Sequence, residues 1–430
     1  MNPQAEELNK IIQAKNPVIY DLLSEKGKNI FFPKKGILGQ TADAKGTKIN
    51  ATIGAAVEDN GTPMRLNSIE SNVKLDPSLV FPYAPSFGRP DIRAKWQSMI
   101  FEKNPSLKDK AISLPVVTNA LTHGVSMAGY LFVDEGEKVL VPDLFWGNYN
   151  LILNHAYGAE LSKFNLFKDG GFDLDAFKAK LAEDGIGKKV LILNFPNNPT
   201  GYTPTIEEQK GIVAIIKESA EQGNKIVVFS DDAYFGLVYE EGIEQESIFA
   251  QLSDLHENVL ALKIDGPTKE DYVWGFRVGF MTYGVKGGDA ELYTALEAKT
   301  AGAVRGNISN AANISQSLLL SAFENEAYQA QKAEKFEIMN KRYHAVKEAL
   351  NDDKYSEYFT ALPYNSGYFM CVQLAEGLDG ELIRKILIEK YSIGIINLNN
   401  VIRVAFSAMA ASDAKELFEG IYNACKDSKQ

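Results

Sequence analysis

Lys269 is followed at six, eight and ten residues by Gly275, Arg277 and Gly279, and two polar clusters precede it, Asn198-Pro199-Thr200-Gly201 and Asp231-Asp232-Ala233-Tyr234. A lysine amine can bond an aldehyde carbon and later act as a base. An arginine fork can grip a phosphate through two parallel N–H bonds. A fixed carboxylate can keep a heteroaromatic nitrogen protonated, while an amide and a phenol can donate to a phenolate oxygen. One chain carries all these parts in order, and together they describe a pocket for pyridoxal phosphate. Lys263 and Asp232 compete for the roles of Lys269 and Asp231. Lys263 lacks the glycine and arginine spacing, and only Asp231 stands three residues before a tyrosine.

Such residues need a rigid frame. From about Tyr83 to Tyr283 the chain alternates short β-rich runs with helical stretches, the pattern of an α/β domain. Residues 139–141, 190–193, 226–229 and 278–281 read as short apolar strands of a sheet covered on both faces. Thr205-Ile206-Glu207-Glu208 has capping-box form, and Ile212, Ile215, Ile216 and Ser219 follow at helical spacing, so the segment predicts a βαβ crossover. The Asn198 loop and Asp231 then fall at strand ends, where open α/β sheets place their ligand crevice. Residues 314–350 hold no Pro or Gly and predict one long helix bridging two domains. Strands at 367–372 and 401–406, around a helix near 382–391, predict a second α/β lobe. The expected division is 1–80 as a segment packing with the smaller lobe, 81–315 as the larger domain, and 316–430 as interdomain helix and smaller domain.

Bulk properties narrow the function. The 430 residues are 45% hydrophobic and 23% charged, the composition of a globular protein long enough for two cores. A net charge of −11 opposes nucleic-acid and anionic-membrane partners. Cys371 and Cys425 lack CxxC spacing and read as reduced thiols. Met1 to Lys28 has no apolar signal-peptide core, and no run reaches about 18 apolar residues, so the cytoplasm is the expected compartment. The chain has neither a GxGxxG after a strand nor a GxxxxGK[ST] motif, and its four histidines, His123, His155, His256 and His344, lack metal-ligand spacing.

On these motifs the chain resembles the fold type I pyridoxal-phosphate enzymes, specifically class I/II aminotransferases and among them the aspartate aminotransferases, over about Ile53 to Phe406. The resemblance implies an α/β fold with a large mixed, mostly parallel sheet, helices on both its faces, and a smaller α/β domain. It implies that Lys269 binds the cofactor covalently and moves the substrate Cα proton. Arg277 and Thr122 would hold the phosphate, Asp231 the ring nitrogen, Tyr234 and Asn198 the phenolate oxygen, and Trp146 the ring face. Arg403, shared with Asn198, would take the substrate α-carboxylate, with the Gly54 backbone nearby. Tyr83 would reach the neighbouring subunit's phosphate and Arg305 its substrate's side-chain carboxylate, which implies a homodimer with shared sites. Only eight of the 45 basic residues are arginines, so three at motif positions are informative. The chain departs from the pattern at Ala120 and Gly266, where the family has a glycine and a serine, at Tyr149 in place of a histidine, and at Ala311-Ala312 in place of Pro-Pro. The activity implied is amino transfer between an amino acid, aspartate favoured, and a 2-oxo acid by a ping-pong cycle. An aromatic aminotransferase and a β-eliminating lyase remain open, as does, more distantly, a cofactor-sensing regulator, which would need a DNA-binding module ahead of Ile53.

Overall fold

A computed structural model describes residues 1–15, 20, 23, 28–29, 36–71 and 73–429. The main sheet has seven strands: β1 Val116–Thr118, β2 Lys138–Pro142, β3 Glu160–Phe164, β4 Lys188–Asn194, β5 Lys225–Asp231, β6 Val259–Asp265 and β7 Gly279–Gly284. Their spatial order is β1-β7-β6-β5-β4-β2-β3. β7 runs antiparallel to both its neighbours, and the pairs from β6 across to β3 are parallel. β4 and β5 are buried at every position after the first, which requires cover on both faces and explains why their apolar runs do not alternate. β3 carries little signal in the sequence, being an edge strand whose Glu160, Ser162 and Lys163 dilute its apolar pattern.

Helix Ile206–Glu221 crosses from β4 to β5. Its capping box is complete: the Thr205 hydroxyl accepts from the Glu208 N–H, and the Glu208 carboxylate accepts from the Thr205 N–H. Ile212, Ile216 and Ser219 are its buried stripe. The parallel β4–β5 register opposes Asn194 to Asp231, so the two polar strand ends lie side by side.

The smaller sheet is antiparallel throughout, formed by β8 Phe359–Ala361, β9 Phe369–Leu374, β10 Ile396–Leu398 and β11 Val401–Ala405 in the order β8-β9-β11-β10. The helix beside it is α-helical over Gly380–Ile386 and closes with a wider π turn over Leu387–Tyr391. Ile49–Asn50 pairs in parallel with Ile393–Gly394, and the Gln40 amide both donates to and accepts from the Asn397 backbone, at 2.9 and 2.6 Å. Part of the N-terminal segment expected to pack here lies outside the described residues.

The single long helix expected over 314–350 is two helices, Asn313–Phe323 and Tyr328–Ala349. Asn325 makes the break: its backbone N–H bonds the Ala322 carbonyl and its side-chain oxygen accepts from the Ala327 N–H at 2.9 Å. An asparagine side chain competes with helical hydrogen bonding in this way without any Pro or Gly. The first of the two helices is held to the larger lobe, where Gln316 accepts from the Arg89 N–H, and to the segment before that lobe, where the Ser317 hydroxyl donates to the Leu79 carbonyl. Cys371 and Cys425 are both buried free thiols. Among the described residues no helix is long and apolar enough to cross a membrane.

Candidate active site

A cavity of about 380 Å³ opens at the ends of β4 and β5, and Lys269, Asp231, Tyr234, Asn198, Arg277 and Arg403 all line it. Gly54, Thr122 and Trp146 complete the set of expected residues that converge there. Tyr83, 91% exposed, and Arg305, exposed in the last turn of helix Ala290–Ile308, lie outside the cavity of their own chain.

Asn194 organises the floor. Its side-chain N–H donates to the Asp231 carbonyl at 2.7 Å and its oxygen accepts from the Asn198 N–H at 2.8 Å, tying the aspartate strand to the Asn198 loop. Gly201, at φ 71°, lets that loop meet the smaller domain, because a Cβ there would lie 1.8 Å from the Phe369 carbonyl oxygen. The Asp231 carboxylate accepts from the Tyr149 hydroxyl at 2.5 Å and from the Ala233 N–H at 3.2 Å. Burial raises the Asp231 pKa, while the Tyr149 bond and the Lys269 charge pull it back down.

Lys269 follows β6 in the short helix Pro267–Glu270, with its carbonyl accepting from the Tyr368 hydroxyl at 2.8 Å. Its Nζ lies 4.9 Å from the centre of the Tyr234 ring. Burial lowers the Lys269 pKa to about 8, opposed by the Asp231 charge and reinforced by Arg277. The Tyr234 hydroxyl is raised by burial, with the Arg403 charge acting the other way.

One part of the cavity suits an anion. Thr122 lies in the first turn of helix Ala120–Phe132, which has no side-chain cap, so its N–H groups are available. Arg277 donates to the Trp274 carbonyl at 3.0 Å and has no acidic partner among the described residues. The Thr268 hydroxyl is buried without a hydrogen-bond partner among the described residues and also lines the cavity.

The two departures here have steric explanations. Ala120 keeps the left-handed backbone of a glycine, φ 63°, and a Cβ on Gly279 would lie 2.7 Å from the Ala120 carbonyl carbon. Gly266 has no room for a serine, since its Cβ would lie 2.8 Å from the Val278 carbonyl oxygen.

Arg403, on β11, is buried against the Phe369 ring at 4.3 Å. It donates to the Thr52 carbonyl at 3.0 Å and to the Asn198 side chain at 3.4 Å, and its Nε has no partner among the described residues. A buried guanidinium without a carboxylate is costly unless a ligand supplies one. Asn194, Thr52, Trp274, Ile37 and Thr41 join the lining without having been singled out in the sequence. Asn194 carried a signal, a polar residue ending an apolar strand, whereas Ile37 and Thr41 carried none.

These donors fit pyridoxal phosphate: a lysine amine of lowered pKa, a buried carboxylate on a protein donor, an uncapped helix start beside an unpaired arginine, and an orphaned threonine hydroxyl. The family model for aminotransferases of class I and II matches residues 47–421. The chain belongs to that family, which is pyridoxal-phosphate-dependent. It is 28% identical over 201 residues to a probable N-acetyl-LL-diaminopimelate aminotransferase of Bacillus subtilis, covering 46% of this chain and 47% of that protein. It is 28% identical over 265 residues to an aspartate aminotransferase of Bacillus sp. strain YM-2, covering 60% and 62%. The chain thus spans about half the length of the curated relatives it matches. The fold is that of an aminotransferase from Anaerococcus prevotii, at TM-score 0.82 and 24% identity over 94% of this chain and 99% of that one.

Proposed function

We propose that the chain is an aminotransferase that exchanges an amino group between a dicarboxylic amino acid, aspartate favoured, and a 2-oxo acid in a two-step ping-pong cycle. The observation that carries this reading is the convergence of Lys269, Asp231, Tyr234, Asn198, Arg277 and Arg403 on one cavity. Bound pyridoxal phosphate supplies an electron sink for the pair left when an amino acid loses its Cα proton. Lys269 anchors the cofactor, and its amine, lowered to about 8 by burial, is neutral often enough near pH 8 to carry that proton. Asp231 holds a proton on the ring nitrogen. Tyr234 and Asn198 donate to the ring oxygen, Trp146 covers the ring, and Arg277, the Thr122 turn and Thr268 hold the phosphate. Arg403 orients the substrate through its α-carboxylate, with Asn198 and the Gly54 backbone beside it.

Tyr83 and Arg305 act from the second subunit of a homodimer, on the phosphate and on the substrate's side-chain carboxylate. The exposure of Val73, Phe81 and Tyr83 on one stretch of chain supports such an interface. Residues 81–315 serve as the cofactor domain and 316–430 as the interdomain helix and the smaller domain, with residues 1–80 packed on that smaller domain, a division supported by the Ile49–Ile393 pairing. The acidic chain with two buried free thiols suits the cytoplasm. A second reading, aromatic donors, draws on Ile37, Ile53, Trp274 and Phe369 in the lining.

Borohydride reduction of the yellow protein followed by peptide mapping tests the core of the reading, with the label expected on Lys269. A label on Lys263, or none, rejects it. Amino donors assayed with 2-oxoglutarate then rank aspartate against phenylalanine, and release of pyruvate and ammonia from cysteine conjugates would reveal a lyase.

A further inference from the structure

Tyr149 is 1% exposed, and its hydroxyl, the only polar atom of its side chain, donates to Asp231 Oδ2. Its ring is gripped on two sides, stacked on Phe145 at 6.2 Å and edge-on to Trp146 at 5.4 Å. Among the described residues the Asp231 carboxylate has one other hydrogen bond, from the Ala233 N–H to Oδ1, and it borders the cavity. The charges near this pair are Lys269, from the short helix after β6, and the adjacent Asp232, whose own carboxylate turns away to Lys263, with the Tyr234 hydroxyl beside them.

We propose that Tyr149 is a positioning residue for the Asp231 carboxylate, fixing its orientation and favouring its ionised form through the hydrogen bond that its hydroxyl donates to Oδ2. The inference rests on the reading of Asp231 as partner of the cofactor's ring nitrogen. The carboxylate is buried and its charge is opposed by desolvation, so a donor on one oxygen favours the anion and leaves the other oxygen toward the ligand. A phenol suits this place. Burial and the Asp231 charge hold Tyr149 protonated well above its ordinary range, so the support does not change sign or charge as an imidazole's would near pH 6.5.

The test compares the full-length wild type with Tyr149→Phe, Tyr149→His and Asp231→Asn. Apoprotein is titrated with pyridoxal phosphate between pH 6 and 9, reading the dissociation constant and the visible absorption of the bound cofactor alongside thermal unfolding. Tyr149→Phe keeps the ring and removes only the O–H, and should weaken cofactor binding about 10- to 100-fold, more at low pH, as expected for one lost bond to a charged group. Tyr149→His should recover part of that loss and introduce an inflection near neutral pH that the wild type lacks. If Tyr149→Phe kept wild-type affinity and pH dependence while Asp231→Asn lost both, the role given to Tyr149 would be wrong and that of Asp231 would stand. A Tyr149→Phe protein that differed from wild type only by a lower unfolding temperature would reject the positioning role in the same way. Wild-type affinity in Asp231→Asn as well would overturn the ring-nitrogen assignment and this inference with it.

Discussion

Lys263 and Asp232 form an ion pair with each other inside the main sheet, both essentially sealed from solvent. Each lies near the residue it could be mistaken for: Asp232 next to Asp231, Lys263 six residues before Lys269. β-strand alternation sends neighbours to opposite faces, so Asp231 borders the cavity while Asp232 turns to the Ser247 hydroxyl and the Lys263 amine. Lys263 also faces Asp265 at 3.4 Å and the Phe235 ring at 4.5 Å. The pair is thus a structural element beneath the site.

Breaking it should cost stability. Lys263→Met leaves Asp232 and Asp265 buried without their cation, and the expected loss is about 3–5 kcal/mol, the range for removing one partner of a buried pair. Urea unfolding measures this, and borohydride labelling of the surviving folded protein should still fall on Lys269.

The neighbouring aspartates should separate in kinetics. Asp231→Ala is expected to retain the covalent link to the cofactor yet lower transamination by several orders of magnitude, because a charge-assisted contact is lost in a water-poor site. Asp232→Ala should do far less to the chemical step and more to folding. Single-turnover rates for the two variants decide the ranking, and the reverse order would reject the assignment.

Lys269 sets a pH dependence. With the apoprotein amine at about 8, covalent capture of pyridoxal phosphate should slow as pH falls through 8 and level off above it. The Asp231 charge raises this pKa and Arg277 lowers it, so Asp231→Ala should move the midpoint down and Arg277→Ala up. For stability the sign is that of a depressed lysine: its unfavourable contribution is complete below pH 8 and is relieved between pH 8 and the unfolded value near 10.5. Stopped-flow capture rates across pH 6–10 test the midpoint.

Ala120 and Gly279 form a close contact that can be probed from both sides. Ala120→Gly relieves a left-handed alanine and should be neutral to stabilising by up to about 1 kcal/mol, the unfolded-state entropy of glycine offsetting part of the gain. Gly279→Ala drives a methyl into the Ala120 backbone and should destabilise the protein and weaken phosphate binding together. Thermal unfolding with and without inorganic phosphate distinguishes the two variants.

Arg305→Leu tests the substrate class. If Arg305 pairs with a substrate carboxylate from the second subunit, kcat/KM for aspartate should fall by roughly 10² to 10⁴ while phenylalanine is spared. Equal losses, or a wild type that prefers phenylalanine, would reject the dicarboxylate preference and leave amino transfer intact.

The α/β frame and the chemical parts are legible along the chain, because their signals are local. Unbroken apolar runs mark strands β4 and β5, the Thr205 capping box marks the crossover helix, and the spacings around Lys269, Asp231 and Asn198 are short enough to read in one dimension. The stretch after Arg305 is misleading, since the Asn325 side chain splits a helix that composition makes continuous. The spacings along the chain already favour Asp231 over Asp232 and Lys269 over Lys263; folding adds the physical reason, strand alternation and burial that pair Asp232 with Lys263 away from the cavity. It also brought Ile37, Thr41 and Thr52 to a site formed by residues far along the chain, placed Tyr149 on Asp231 across 82 positions, and denied Gly266 the space for a side chain. Those are contacts between distant segments, and no periodicity or spacing in a linear chain encodes the distance at which two such segments meet.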